Sequence, residues 1–143
     1  MMELRGTPTG VYDLFARYAV ALDRVDGPGL SGLLTEDVTY RHTSNGNEVT
    51  GLVEGNEAVV ASITVAMNAA LSELHGRSRH VITSVCALDG DERALTVSAY
   101  NAFCMVADGR VTILNTGAYL NVAVYAKGFW KFRKVHIDHD LPA

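Results

Sequence analysis

Residues Arg79 to Asp138 read RHVITSVCALDGDERALTVSAYNAFCMVADGRVTILNTGAYLNVAVYAKGFWKFRKVHID, and the fold turns on how this stretch is divided. Asp89-Gly90, Asp108-Gly109 and Lys127-Gly128 are turn dipeptides. They separate four β-rich runs, Arg79 to Leu88, Ala94 to Val106, Arg110 to Tyr125 and Phe129 to Asp138. Hairpin-connected runs of this kind predict an antiparallel meander. The longest reaches about 16 residues, and a long antiparallel sheet twists and curls, which makes a concave face.

Upstream the period changes. Val11, Leu14, Phe15, Tyr18, Leu22 and Val25 recur at steps of three and four, the apolar stripe of a helix. Thr7-Pro8 reads as its N-cap and first position, and Asp26-Gly27-Pro28 as its end. A short helical turn is expected over Gly29 to Leu34, a strand over Glu36 to Thr43, an Asn45-Gly46 hairpin and a strand over Glu48 to Leu52. A second long helix is expected from Asn56 to Leu74, with Val59, Val60, Ile63, Met67, Ala70, Leu71 and Leu74 on its apolar face. Helices first and sheet second predict an α+β fold in which a curved antiparallel sheet wraps around N-terminal helices. An apolar pocket forms where helices cover the concave face.

Composition agrees with one domain over residues 1–143. The chain is 48% hydrophobic and 20% charged, with a formal charge of −4 from 12 Lys+Arg and 16 Asp+Glu. That balance offers no footprint for phosphate backbones, so no nucleic-acid partner is expected. No leader is read in the N-terminus MMELRGTPTG, and no run is read as approaching the roughly 18 apolar residues of a membrane span. No membrane partner and a cytoplasmic location are the resulting expectations. Cys86 and Cys104, without C-x-x-C spacing, read as two buried thiols.

Phosphate-loop, dinucleotide, zincin and hydrolase-elbow motifs are absent from the sequence, so the informative residues are polar groups in apolar settings. Asp23 lies at the edge of the first helix's buried face and can point either way. His80 shares a strand face with Ile82, Ser84, Cys86 and Leu88. Asn115, Gly117, Tyr119, Asn121 and Ala123 form another face, and Asn101 lies between Ala99 and Phe103. These amides and phenols suit a pocket lining or a structural hydrogen-bond ladder. His42, beside the Asn45-Gly46 turn, and His75, after the second helix, read as exposed. His136 and Asp138 alternate with His139, so this tract is not expected to hold a metal. Lys131 and Arg133 share a face that is solvated or meets an anionic substrate.

Four segments together carry a resemblance. They are Tyr18-x4-Asp23-x2-Asp26-x3-Leu30 continuing into Leu34-Thr35-Glu36-Asp37-Val38, then Arg79-His80-Val81-Ile82-Thr83, Gly117-x-Tyr119-x-Asn121, and Gly128-Phe129-Trp130-Lys131-Phe132. In this order they resemble the SnoaL-like branch of the nuclear transport factor 2-like superfamily, which includes scytalone dehydratase, bile-acid 7α-dehydratase and hexachlorocyclohexane dehydrochlorinase. The resemblance implies a cone-shaped α+β barrel. It further implies that Asp23 and His80 form a catalytic pair, with Tyr18 in the pocket and hydrogen-bonding residues at Tyr119 and Asn121. Three departures stand out: Leu22 replaces the tyrosine that precedes the catalytic Asp in scytalone dehydratase, that enzyme's second histidine has no counterpart, and Val135 stands near the dehydrochlorinase's last-strand arginine.

The chemistry so implied is cofactor-independent. A carboxylate bonded to one ring nitrogen fixes the imidazole tautomer, and the other nitrogen takes a proton beside a carbonyl. Catalytic Asp23, His80 and Tyr18, with Tyr119, Asn121, Asn101 and Asn115 binding substrate, then describe a dehydratase, cyclase or isomerase for a small hydrophobic, polycyclic, polyketide-like or steroid-like substrate. No metal or organic cofactor is expected. A ligand-binding or scaffold protein of the same fold is the alternative, and an epoxide hydrolase a further one, although a second pocket carboxylate is not evident. A homodimer or homotrimer is expected through the outer face of the sheet.

Overall fold

A computed structural model describes residues 7–142; residues 1–6, part of the segment read for a leader, and residue 143 lie outside it. Among the described residues three helices, α1 (Thr9–Arg24), α2 (Gly27–Leu33) and α3 (Asn56–Leu74), accompany six strands. The strands are β1 (Leu34–Ser44), β2 (Asn47–Glu54), β3 (Arg77–Gly90), β4 (Ala94–Ala107), β5 (Arg110–Ala126) and β6 (Phe129–His139). Their order is β2-β1-β6-β5-β4-β3.

The α+β class is as expected, with two corrections to the sheet. It is mixed, because β1 lies parallel to β6 while every other pair is antiparallel. It is also unclosed, with β2 and β3 as edges, so the barrel is incomplete. The β1–β2 hairpin, which precedes α3 and the meander in the chain, extends the sheet beyond the meander's last strand.

Local chemistry accounts for most element ends. Asn45 and Gly46 both have positive φ, 50° and 80°, as a primed two-residue turn requires. Asp26 caps α2 by accepting from the Gly29 N–H at 3.0 Å. Val25 closes α1 in the left-handed region. Thr7 does not cap α1: Pro8 stands at the N-cap, and the Thr7 hydroxyl accepts from the Ala87 N–H at 2.8 Å, tying the chain start to β3.

The core lies between α1 and the concave face. Phe15, Tyr18, Tyr119 and Phe132 pack in tilted and edge-on contacts, with Phe15 and Phe132 centroids 4.8 Å apart. Around them are Val11, Leu14, Leu30, Leu34, Val38, Val97 and Val135, all 2% exposed or less. α3 buries only Val59, Ile63 and Met67, fewer than its predicted apolar face. By length and composition alone it is apolar enough to cross a membrane, contrary to the expectation that no run approaches a membrane span.

A bulge in β3 overturns part of the predicted alternation. Ser84 has φ 56°, and the β3–β4 register shifts between Thr83 and Cys86. One extra residue reverses side-chain parity beyond it. Ser78, His80 and Ile82 face inward before the bulge, and Val85 and Ala87 after it. Cys86 and Leu88 therefore do not share the His80 face, and Cys86 is exposed while Cys104 is buried.

Candidate active site

The site begins where the end of α1 meets the start of β3. Asp23 and His80 lie 57 residues apart in sequence, and the carboxylate Oδ1 stands 2.7 Å from His80 Nδ1. Three further bonds fix the carboxylate. The His80 N–H donates to Oδ1 at 3.0 Å and Oδ2 at 3.1 Å, and the Ser78 hydroxyl donates to Oδ1 at 3.1 Å. A carboxylate so held accepts from Nδ1–H, which leaves Nε2 as the unprotonated nitrogen of the neutral ring. Phe103, the cross-strand partner of His80, stacks on that ring at 4.8 Å and 22°.

His80 lines a cavity of about 190 Å³. Apolar walls come from Leu22 of α1, Ile63, Ala66, Met67 and Ala70 of α3, and Phe103 and Ile137 of the sheet. Its polar groups are Tyr18, Tyr40, His42, His80, Asn101, Tyr119 and His139. Burial first, then Tyr119 and Tyr40, hold the Tyr18 phenol well above its usual range. Burial pushes Tyr40 up to about 12, and burial, Tyr40 and Asp23 raise Tyr119. All three phenols are protonated donors near neutral pH.

The predicted residues divide. Asp23 and His80 are brought together, and Tyr18, Tyr119 and Asn101 line the same cavity. Asn101 is 3% exposed, and its Oδ1 has no partner among the described residues. Asn121 faces inward as expected but lies behind the lining, where its Oδ1 accepts from the His136 N–H at 3.2 Å. Asn115 is corrected: it bonds both the N–H and the carbonyl of Leu141, at 3.1 and 3.3 Å, and so clasps the chain end away from the cavity.

Two residues read as exposed or peripheral also belong to the lining. His42 is half-buried, and its Nε2 stands 2.9 Å from His139 Nδ1, with the rings edge-on at 82°. Burial, then His42 and His80, push His139 down to about 4 against the opposing pull of Asp138 and Asp140. Burial also lowers His42. Tyr40 lines the cavity too, and period two is its signal in the sequence, since Val38, Tyr40 and His42 occupy alternate positions of β1. His75 is exposed as read.

The alternation predicted for the C-terminal tract holds. His136 and Asp138 lie on the outer face, where the Thr43 hydroxyl donates to Asp138 at 2.6 Å and meets His136 Nε2 at 2.9 Å. Lys131 lines a separate groove with Gly10 and Trp130, and Arg133 is exposed.

Comparison with known proteins follows this geometry closely at the level of fold. The sequence profile of the SnoaL-like domain matches residues 8–136. ActVI-ORFA from Streptomyces coelicolor superposes with a TM-score of 0.73 at 21% identity, covering 92% of this chain and 96% of its own. A protein of Novosphingobium aromaticivorans provisionally assigned as a scytalone dehydratase gives 0.73 at 14% identity, covering 93% and 83%. The β subunit of a provisionally assigned aromatic-ring-hydroxylating dioxygenase from that organism gives 0.76 at 18% identity, covering 94% and 90%. No curated protein matches the sequence. At these identities the structural likeness establishes the fold.

Proposed function

For a chain that belongs to the SnoaL-like family of the nuclear transport factor 2-like superfamily, we propose a cofactor-independent lyase or isomerase that removes a proton beside a carbonyl. Lyase- or isomerase-type activity accords with the family and its structural neighbours. The observation that carries the finer reading is the Asp23–His80 bond of 2.7 Å, held by two further donors and turned toward an apolar cavity.

In this reading His80 Nε2 is the base. Asp23 fixes the tautomer and stabilises the imidazolium that forms. The enolate oxygen needs donors, and Tyr18 and Tyr119 supply protonated hydroxyls within the lining. Asn101 Oδ1 accepts from a substrate hydroxyl. Loss of a β-hydroxyl, double-bond migration and ring closure all begin from such an enolate, so dehydratase and cyclase are the leading reactions. A cavity of about 190 Å³ lies under the roughly 300–1,000 Å³ of drug-sized sites, which favours one or two polyketide-like rings over a four-ring steroid.

The test is hydrogen exchange at C2 of 1-tetralone in D₂O, followed by proton NMR. Wild type accelerates the exchange, and His80→Ala and Asp23→Asn each lose about 10²- to 10⁴-fold. Wild-type rates in both variants overturn the reading. Binding of the ketone without exchange selects the ligand-binding alternative. An epoxide hydrolase is less favoured, because no arginine or carboxylate lines the cavity among the described residues.

A further inference from the structure

The cavity contains a second pair of proton-carrying groups that the Asp23–His80 chemistry does not use. His42 comes from β1 and His139 from the end of β6, 97 residues apart, and their facing nitrogens are 2.9 Å apart. We propose that His42 and His139 form the acid half of the site, with His139 Nε2 delivering a proton to the departing oxygen and His42 positioning and recharging it. This rests on the proton-abstraction reading above.

The geometry restricts what the pair can do. One hydrogen occupies the contact between two neutral imidazoles, so each ring keeps one further nitrogen. When His42 Nε2–H donates to His139 Nδ1, the His139 hydrogen stands on Nε2, where it is free to be given up. Both rings are held neutral near pH 7, His139 being pushed down to about 4. The titratable groups acting on His139 are His42 from β1, His80 from β3, and Asp138 and Asp140 from its own strand end.

Gly117 makes room for this arrangement. It is the cross-strand partner of His139, and a methyl group there would lie 2.5 Å from the Asp138 carbonyl oxygen and 3.0 Å from His139 Cδ2. The imidazole edge thus lies against bare backbone, in a place any larger residue would invade.

For a β-hydroxy ketone the step balances. His80 Nε2 takes the proton from the α-carbon, and the C–H electron pair becomes the new double bond. The C–O bond breaks, and the hydroxyl leaves as water with the proton from His139 Nε2. His139 Nδ1 takes the hydrogen of His42 Nε2, and His42 Nδ1 takes one from solvent. The pair resets when His139 Nε2 takes a proton from solvent, His139 Nδ1 returns its hydrogen to His42 Nε2, and His42 Nδ1 releases its own. His80 returns its extra proton to solvent, so two protons enter and two leave. Nothing is oxidised or reduced.

The test compares two reactions of one ring system. Elimination of water from 3-hydroxy-1-tetralone gives 1-naphthol, read by fluorescence, whereas C2 exchange of 1-tetralone has no leaving group. His139→Gln keeps an amide beside His42 and cannot donate as an acid. It is expected to lower elimination about 10²- to 10³-fold and exchange far less, and added imidazole is expected to restore part of the elimination in His139→Ala. Ring-nitrogen NMR of ¹⁵N-histidine protein checks folding and charge, with both rings neutral at pH 7 in wild type. Wild-type elimination in His139→Gln, equal losses in both reactions, or a charged ring at pH 7 overturns the proposal. Absence of exchange in wild type overturns the base reading and the pair with it, whereas intact exchange with unaltered elimination in His139→Gln removes the pair alone.

Discussion

The two ends of the cavity are built on different principles. At one end a helix and an edge strand bring a carboxylate to an imidazole, and backbone and hydroxyl donors pin the carboxylate; the side chains are 8% exposed at His80 and 13% at Asp23. At the other, two strands joined by a parallel seam bring imidazole to imidazole, half-buried and without a carboxylate on the contact. The first end is a charged hub whose loss strands several donors. The second is a neutral pair whose value lies in moving hydrogen.

That contrast gives predictions of decreasing size. Removing the hub is expected to hurt most: Asp23→Ala leaves the His80 N–H and the Ser78 hydroxyl without an acceptor, at about 3 kcal/mol of stability in urea unfolding. Asp23→Asn keeps one carbonyl acceptor and is expected to cost about 1 kcal/mol. Gly117→Ala sharpens the comparison from the other side, because it displaces the His139 ring or the Asp138 backbone. It is expected to cost about 1–2 kcal/mol and to abolish the imidazole–imidazole N–H signal in NMR.

A third prediction concerns pH. His139 is depressed to about 4 in the fold against about 6.5 unfolded. Between those values the unfolded chain binds the extra proton and the folded one does not, so stability falls as pH drops from about 6.5 to 4. Calorimetry in that window is expected to show a declining Tm whose slope is shallower in His139→Gln. The smallest effect concerns the outer face, where Tyr100 is 64% and Ile113 63% exposed. Self-association there is expected to give a dimeric mass in light scattering, reduced by Tyr100→Lys, with exchange chemistry unchanged.

How far the sequence carries depends on how local each signal is. The helices, the Asn45-Gly46 turn and the meander were legible because period and turn chemistry act over a few residues. Asp23 stood out through its place on a helical wheel and His80 through alternation, and the resemblance joined them. His42 was misplaced because nearness to a turn outweighed its alternation with Val38 and Tyr40. The seam that turns it toward His139 joins residues 97 apart, and no local pattern announces a parallel neighbour. Asn115 was misassigned for a similar reason. It lies in phase with Gly117 and Tyr119, but the returning chain end supplies Leu141, whose backbone takes up its amide.

Ser84, the bulged residue of β3, has a consequence for how this protein can change. Because it resets the alternation midway, the segment carrying His80 and the segment packing under α1 are two independent tracks on one strand. Substitutions can accumulate at Val85 and Ala87 without rotating His80 from its carboxylate. Flattening the bulge with every residue kept would couple the tracks again, turning Cys86 and Leu88 inward. The spacer thus shelters the chemistry from drift in the scaffold, and loop grafts or strand redesigns that respect it can alter the far half while keeping the dyad in place.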